Sequence, residues 1–481
     1  MKRTISLVMV VLFTFSILLA GCASKDESTQ TPVSSVSVSD SPATTAPIAT
    51  TAPTVTEEKK EPVTLTYSGW GSPGERKATQ DAINGFMKKY PWITVKYMNI
   101  PDENGSYDTK MTTMLAANQA PDAALFHGSL GLVWAEQGKL LNIMDFLNKD
   151  SEITPADILP QAFYCWEKEK CMGMNGAIEA FGLFYNKDMF KDAGVADLPT
   201  SADKALTWEQ FVEVCQKLTL DTKGRNALDP NFDFKNIKQF GVNFGTWAYN
   251  QFVYMNGGSL LSDDGTTFNL NQPEAIEGIQ KLSDLMNKYH VMPSPAQQKN
   301  IAGAATALLS KKVAIAFDGQ WALQDLTIAK VNLGVGIVPK LNKVATMTLG
   351  DPLVIFSSTK HPEEAYLLLK WFWNPENTLD LQKSGLWMPI LKKWYTDPAL
   401  LEKWAKGNAA HPEGYIEAIV DNAFANGVPS PDYTVKNVPN INAIIGPALD
   451  KVWLGQETAE KALNDIAPKV QPLIKGKYER P

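Results

Sequence analysis

A chain of 481 residues with 45 Lys and Arg against 52 Asp and Glu carries a formal charge of −7, and without basic runs it has no surface suited to a phosphate backbone, so nucleic acid is not an expected partner. The length exceeds one ordinary core and makes two domains the default expectation. The 13 tryptophans need a use, because each indole must be buried or offered to a partner.

Lys2 and Arg3 precede an almost wholly apolar run from Ile5 to Ala20. This is the layout of a secretory signal, shorter than the ~20 apolar residues of a membrane-spanning helix. The run exits through Leu19, Ala20, Gly21 and Cys22, which resembles a bacterial lipobox. The resemblance implies a signal peptide over residues 1–21 and a diacylglyceryl group on Cys22, two acyl chains giving stable anchoring. The rival reading is an ordinary signal peptide with a chance cysteine. Residues 22–62 form a Ser/Thr/Pro-rich linker, and residues 23–62 hold no aromatic side chain. Such a segment cannot bury enough apolar surface to offset its ordering entropy, so a disordered tether is expected. A tether of this kind suits a lipid-anchored protein on the extracytoplasmic face of the cell membrane, with a Gram-positive surface favoured. No later apolar segment is long enough to span a bilayer.

From residue 63 the pattern changes. Val63, Leu65 and Tyr67 alternate with polar residues, which predicts a half-buried strand. A helix follows from about Pro73, with Ile83, Phe86, Met87 and Tyr90 at helical spacing. "ITVKYM" is a second strand, Tyr107, Met111, Met114 and Leu115 mark a second helix, and "PDAALF" begins a third strand. Continued alternation predicts an α/β sheet. Cys165 and Cys171 flank "WEKEK", which reads as a hairpin tip; a disulfide there is plausible in an oxidising compartment, with two free thiols as the alternative. "TWEQ", from Thr207, is a capping box opening a helix that buries Cys215. "SLLSDDGTTFNL" turns at Asp264-Gly265. Asn271 and Pro273 start a long helix, "KKVAIAFDGQW" is a strand ending in a tight turn, "NLGVGIVPK" is another short strand, and "HPEEAYLLLKWFW" is a helix with Pro362 in its first turn. The C-terminal quarter reads as mainly helical.

"APDAALFHGSLGLVWAEQGKLLNIMDFL", "GLFYNKDMFKDAGV" with "TWEQFVEVCQKLT", "YMNGGSLLSDDGTTFNLNQPEAIEGIQKL", "ALLSKKVAIAFDGQW", "VGIVPK" and "HPEEAYLLLKWF" occur in this order. Together they resemble the family 1 extracellular solute-binding proteins, the maltose-binding-protein-like sugar receptors of ABC importers. The resemblance covers nearly all of residues 63–481. It implies a type II periplasmic-binding-protein fold, with two α/β lobes around a ligand cleft joined by a hinge. The first lobe is expected at about 63–180 and 325–380, and the second at about 181–324 with part of 381–481. Ligand would then select the closed form.

A pyranose offers apolar C–H faces to indoles and hydroxyl edges to carboxylates, amides or imidazoles. On that chemistry Trp321, after Asp318-Gly319-Gln320 at a strand exit, leads the candidates, because similar receptors carry a sugar-stacking tryptophan there; its alternative is core packing. Asp318 is a hydroxyl acceptor or a turn residue. Trp70 follows the first strand, Trp247 follows "FGVNFGT" with Asn250 one helical turn on, Asp351 precedes a family strand, and Trp387 lies in "SGLWMP". His127 and Glu179 complete the set, although relatives often carry Asp at the first position, and "MGMNGAIEAFG" lacks the proline usual near the second.

No HExxH pair, GxSxG elbow, P-loop or GxGxxG fingerprint is present, so a receptor is expected and not an enzyme. A two-carboxylate glycosidase has no sequence spacing to reveal it and stays open as an alternative. "DTKGRN" and "SDDGTT" lack the twelfth-position carboxylate of an EF-hand and read as turns. No cofactor or metal is expected. The expected partners are a carbohydrate, ABC permease subunits and the membrane, reached through the lipid, with the chain a monomer. A sensor lipoprotein presenting ligand to a signalling receptor would need the same closed form.

Overall fold

Alternation in the first folded segment produces strand β1 (Val63–Gly69), with Val63, Leu65 and Tyr67 buried. The computed structural model describes residues 60–102, 105–301 and 303–479. The leader, Cys22 and the linker up to residue 59 lie outside them. β1 runs parallel to β2 (Ile93–Asn99) and β3 (Ala123–Leu125). The hairpin of β4 (Phe163–Glu167) and β5 (Lys170–Asn175) follows, and a disulfide joins Cys165 to Cys171 across it.

The chain then leaves this sheet. β6 (Glu179–Asn186) pairs in a second one with β9 (Val313–Gly319), reached through β7 (Leu220–Asp221) and β8 (Ile237–Asn243). β10 (Leu333–Gly336) and β11 (Thr346–Leu349) also pair with β6. β12 (Pro352–Ile355) returns to the first sheet, and β13 (Gly427–Pro429) rejoins the second. The orders are β2-β1-β3-β12-β5-β4 and β13-β11-β6-β9-β8-β7, with β10 off the second path. Residues 333–349, expected in the first lobe, therefore pair in the second sheet. Leu333–Gly336 align antiparallel with Asn186–Leu183, and the return comes only at Pro352.

Local chemistry explains where the helices begin. Ser72 and Glu75 form a reciprocal capping box at helix Pro73–Lys89, with proline in its first turn, where the missing N–H costs nothing. Thr207 and Gln210 do the same for Trp208–Leu218, which buries the free thiol of Cys215. The loops "DTKGRN" and "SDDGTT" are turns. Asp221 accepts from the backbone of Lys223 and Arg225 and pairs with the Arg225 guanidinium at 2.6 Å. Asp264 accepts from Ser262 and Thr266.

Each sheet has its own core. Helix Pro362–Trp373 packs on the first, stacking Phe372 on Tyr67 at 5.4 Å, while residues of helices Val438–Trp453 and Ala459–Val470 pack in the second. Fully burying one such large side chain contributes roughly 1.5–3 kcal/mol, so each core supports a lobe. The lobes are joined where the chain passes from β5 to β6, from β11 back to β12, and once more between β12 and β13. The first two passages lie side by side, with the Gly176 N–H donating to the Asp351 carbonyl at 3.0 Å. The result is two α/β lobes joined by three crossings, two of them bonded to each other.

Candidate functional site

Strand ends and the loops after them face each other across the crossings and enclose a cleft of about 1130 Å³. Ordinary small-molecule sites run to roughly 300–1,000 Å³, so this one has room for a ligand of several rings.

On the first-lobe side, Trp70 follows β1 and His127 follows β3. Their rings lie 4.4 Å apart, and Tyr107 meets Trp70 edge-on at 4.7 Å. Tyr107 is itself fixed, its hydroxyl donating to the Leu125 carbonyl at 2.8 Å. His127 Nδ1 is 2.8 Å from Asp108 and Nε2 is 3.5 Å from Asp102. Burial alone would lower the imidazole's pKa, but the Asp108 hydrogen bond and the charges of Asp351, Asp108 and Asp102 together raise it to about 9. At neutral pH His127 is an imidazolium with both nitrogens directed at carboxylates.

The second-lobe side is an aromatic stack. Phe181 on β6 lies 5.1 Å from Phe317 on β9 and stacks with it. Trp247 rests on both, at 5.4 and 5.8 Å, and Trp321 meets Phe181 edge-on at 5.3 Å. A Cβ at 319 would collide with the Trp321 indole, so any larger residue there would have to displace that ring. Trp247 remains 51% exposed. A large indole held on an aromatic base yet facing solvent is a surface prepared for stacking.

The floor is the crossing itself, with Glu179, Gly350, Asp351 and Trp387. Trp387 is only 8% exposed and packs against Phe372 at 5.8 Å, so it belongs to the core as much as to the cleft. Several carboxyls here hold protons above the ordinary range. Burial, then the charges of Glu75 and Asp325, push Asp318 up to about 7 against one opposing N–H from Gly319. Burial raises Asp351 to about 6 against the pull of His127. Glu179 is raised by burial, Asp351 and Glu75, and Glu75 chiefly by burial.

Eight of the nine residues expected from sequence line this cleft: Trp70, His127, Glu179, Trp247, Asp318, Trp321, Asp351 and Trp387. Asn250 does not. Trp247 sits in the turn Thr246–Ala248 and Asn250 in the helix Tyr249–Met255 that follows, so the two share no continuous helical face. Asn250 is buried and reaches the Tyr249 phenol. Sequence reading missed Glu75, Asp108, Asp325 and Asp432, which also line the cleft. Glu75 carries a local signal, the Ser72-x-x-Glu75 capping box, but that signal marks a helix start and not a cleft. Among the described lining residues there is no Lys or Arg.

Comparison with known proteins agrees with this architecture. The galactooligosaccharide-binding protein of Bacillus subtilis is 22% identical over 416 residues, covering 85% of this chain and 89% of that protein. An sn-glycerol-3-phosphate-binding periplasmic protein of Brucella abortus is 21% identical over 421 residues, covering 83% and 92%. The ABC substrate-binding protein Lmo0181 from Listeria monocytogenes, solved in complex with cycloalternan, superimposes with a TM-score of 0.73 at 23% identity, covering 86% of this chain and 99% of that one. The family model described as bacterial extracellular solute-binding protein matches residues 70–379, and the chain belongs to that family.

Proposed function

We propose that the protein is an extracytoplasmic receptor for an oligosaccharide, which it delivers intact to the permease of an ABC importer. The observation that carries this reading is the pairing of two cleft-lining indoles, the exposed Trp247 and the partly buried Trp70, with carboxylates and an imidazolium across one cleft. Indoles take the C–H faces of sugar rings and carboxylates accept from hydroxyls. The galactooligosaccharide-binding and cycloalternan-bound relatives support the same class. A phosphate ester fits less well. Lys and Arg are what phosphate recognition uses, and the described lining residues supply neither.

The finer reading is a lipoprotein with residues 1–21 removed and Cys22 acylated, held at the cell surface by the linker and acting as a monomer. No helix among the described residues is long and apolar enough to cross a membrane, so a lipid would supply the attachment. Titration calorimetry with neutral oligosaccharides, monosaccharides and sn-glycerol 3-phosphate tests the function. Saturable binding of an oligosaccharide recovered intact is expected. Preference for the phosphate ester, or recovery of shortened sugar, would overturn it.

A further inference from the structure

The carboxyls of this cleft outnumber anything that could balance them. Glu75, Asp108, Glu179, Asp318, Asp325, Asp351 and Asp432 all line it, and no Lys or Arg does among the described residues. The one cation, His127, already faces Asp108 at 2.8 Å and Asp102 at 3.5 Å. What the other carboxyls receive is weak. Asp318 takes an N–H from Gly319, Glu75 one from Ser72, Asp325 the Ser72 hydroxyl at 3.1 Å, and Asp432 a hydroxyl from Ser430 with a distant Asn442 amide.

An independent observation points the same way. Gln324 is 7% exposed, and its Oε1 has no hydrogen-bond partner. That oxygen and Asp325 Oδ1 lie 2.9 and 3.2 Å from where a Cβ on Gly74 would stand, with Ile328 Cδ1 at 3.1 Å, so the carboxamide is packed against backbone beside the cleft while Asp325 lines it. Gln298 Oε1, also on the cleft wall, is likewise unpartnered. Acceptors without donors are left on both carboxamides, and a buried acceptor without a donor costs free energy until something supplies a proton. The described residues hold no group of three or more His, Cys, Asp or Glu arranged for a metal ion, and the indole platforms of Trp70 and Trp247 fit ring faces. The missing component is therefore a donor-rich, positively charged group on a ring.

We propose that the preferred ligand is a saccharide bearing a protonated amine, a hexosamine oligomer, with its ammonium group seated among Glu75, Asp318 and Asp325. This rests on the saccharide reading above and adds a substrate class to it. A neutral oligosaccharide would bury these carboxyls further without compensating charge, and they would take up protons on binding. An ammonium group favours their ionised form, and they release protons. The cation also gains from the indole faces.

The test is titration calorimetry of the full chain with glucosamine oligomers, their N-acetylated counterparts and maltooligosaccharides of equal length. Each is run in two buffers of different ionisation enthalpy so that proton exchange is read directly. The free-amine oligomer is expected to bind about tenfold more tightly than the acetylated one, as a charge-assisted hydrogen bond warrants. The gap should shrink near roughly 1 M salt, where the screening length falls to about 3 Å, and proton release should accompany the amine alone. Glu75→Gln with Asp325→Asn should also narrow it, and the salt arm needs no variant. Acetylated or neutral oligomers binding equally well, with no salt-dependent gap, overturn this proposal and leave the saccharide reading standing. No binding of any saccharide overturns both.

Discussion

The backbone N–H of Gly176 donates to the carbonyl of Asp351 at 3.0 Å, so two of the three segments that carry the chain between lobes are bonded to each other at the floor of the cleft. A hinge closure of the lobes would turn about these crossings. Trp387 covers it, and a Cβ on Gly176 would stand 3.3 Å from the indole. Gly176→Ala is expected to push the ring toward the ligand space, destabilise the fold by roughly 1–3 kcal/mol through overpacking and weaken ligand binding. Denaturation and calorimetry on the variant check both, and unchanged affinity would separate the crossing from the site.

The indoles of the cleft divide by burial. Trp247 is 51% exposed while Trp387 is 8% exposed. Trp247→Ala should leave stability within about 0.5 kcal/mol and reduce affinity by about three- to tenfold, the worth of one stacking contact. Trp387→Ala should instead cost about 3–5 kcal/mol of stability, as a core truncation does. Urea midpoints paired with binding isotherms distinguish the two; a large stability loss for Trp247→Ala would mean it is a core residue.

Much of this was legible in the chain because it is local. The capping box at Thr207, the prolines at helix starts and the alternation of β1 each declare themselves within a few residues. The aromatic and acidic positions after β1 and β9 were legible through family resemblance. The acidic character of the cleft was not. Glu75 and Asp325 are far apart in sequence and meet only because Ser72 bonds Asp325 across the packed helix ends. Asp432 arrives from beyond β13. Asn250 failed for the opposite reason: a spacing argument assumed one regular helix, where a turn and a helix meet.

The disulfide closes a short loop, Cys165 to Cys171 across a hairpin with a register shift. Loop entropy for so small a ring gives about 2 kcal/mol. Cys165→Ser with Cys171→Ser should lower stability by that order and leave ligand affinity unchanged, since neither cysteine lines the cleft. Denaturant titration with and without reductant measures it; a reductant-insensitive wild type would contradict the bridge.

Asp318 shows how the site trades stability for binding. Its ordinary value of 3.8 is pushed up to about 7, first by burial and then by Glu75 and Asp325. Between those values the folded chain holds a proton that the unfolded chain has released, so this residue's contribution to stability falls as pH rises from about 4 to 7. Above 7 the carboxylate is charged and strained. His127 has the opposite charge and the same sign of slope: its value is raised from 6.5 to about 9, so its contribution is complete below 6.5 and is lost as pH rises through 9. Asp318→Asn keeps the shape and removes the charge. At pH 8, the variant should melt a few degrees higher than wild type, and it should bind ligand more weakly because one carboxylate oxygen is replaced by an NH2 donor and the negative charge is lost. His127→Gln should flatten the fall in melting temperature between pH 7 and about 9.5. Calorimetric melting across this range reads both, and an Asp318→Asn protein that melts no higher at pH 8 would show that the carboxylate is solvated in the open cleft.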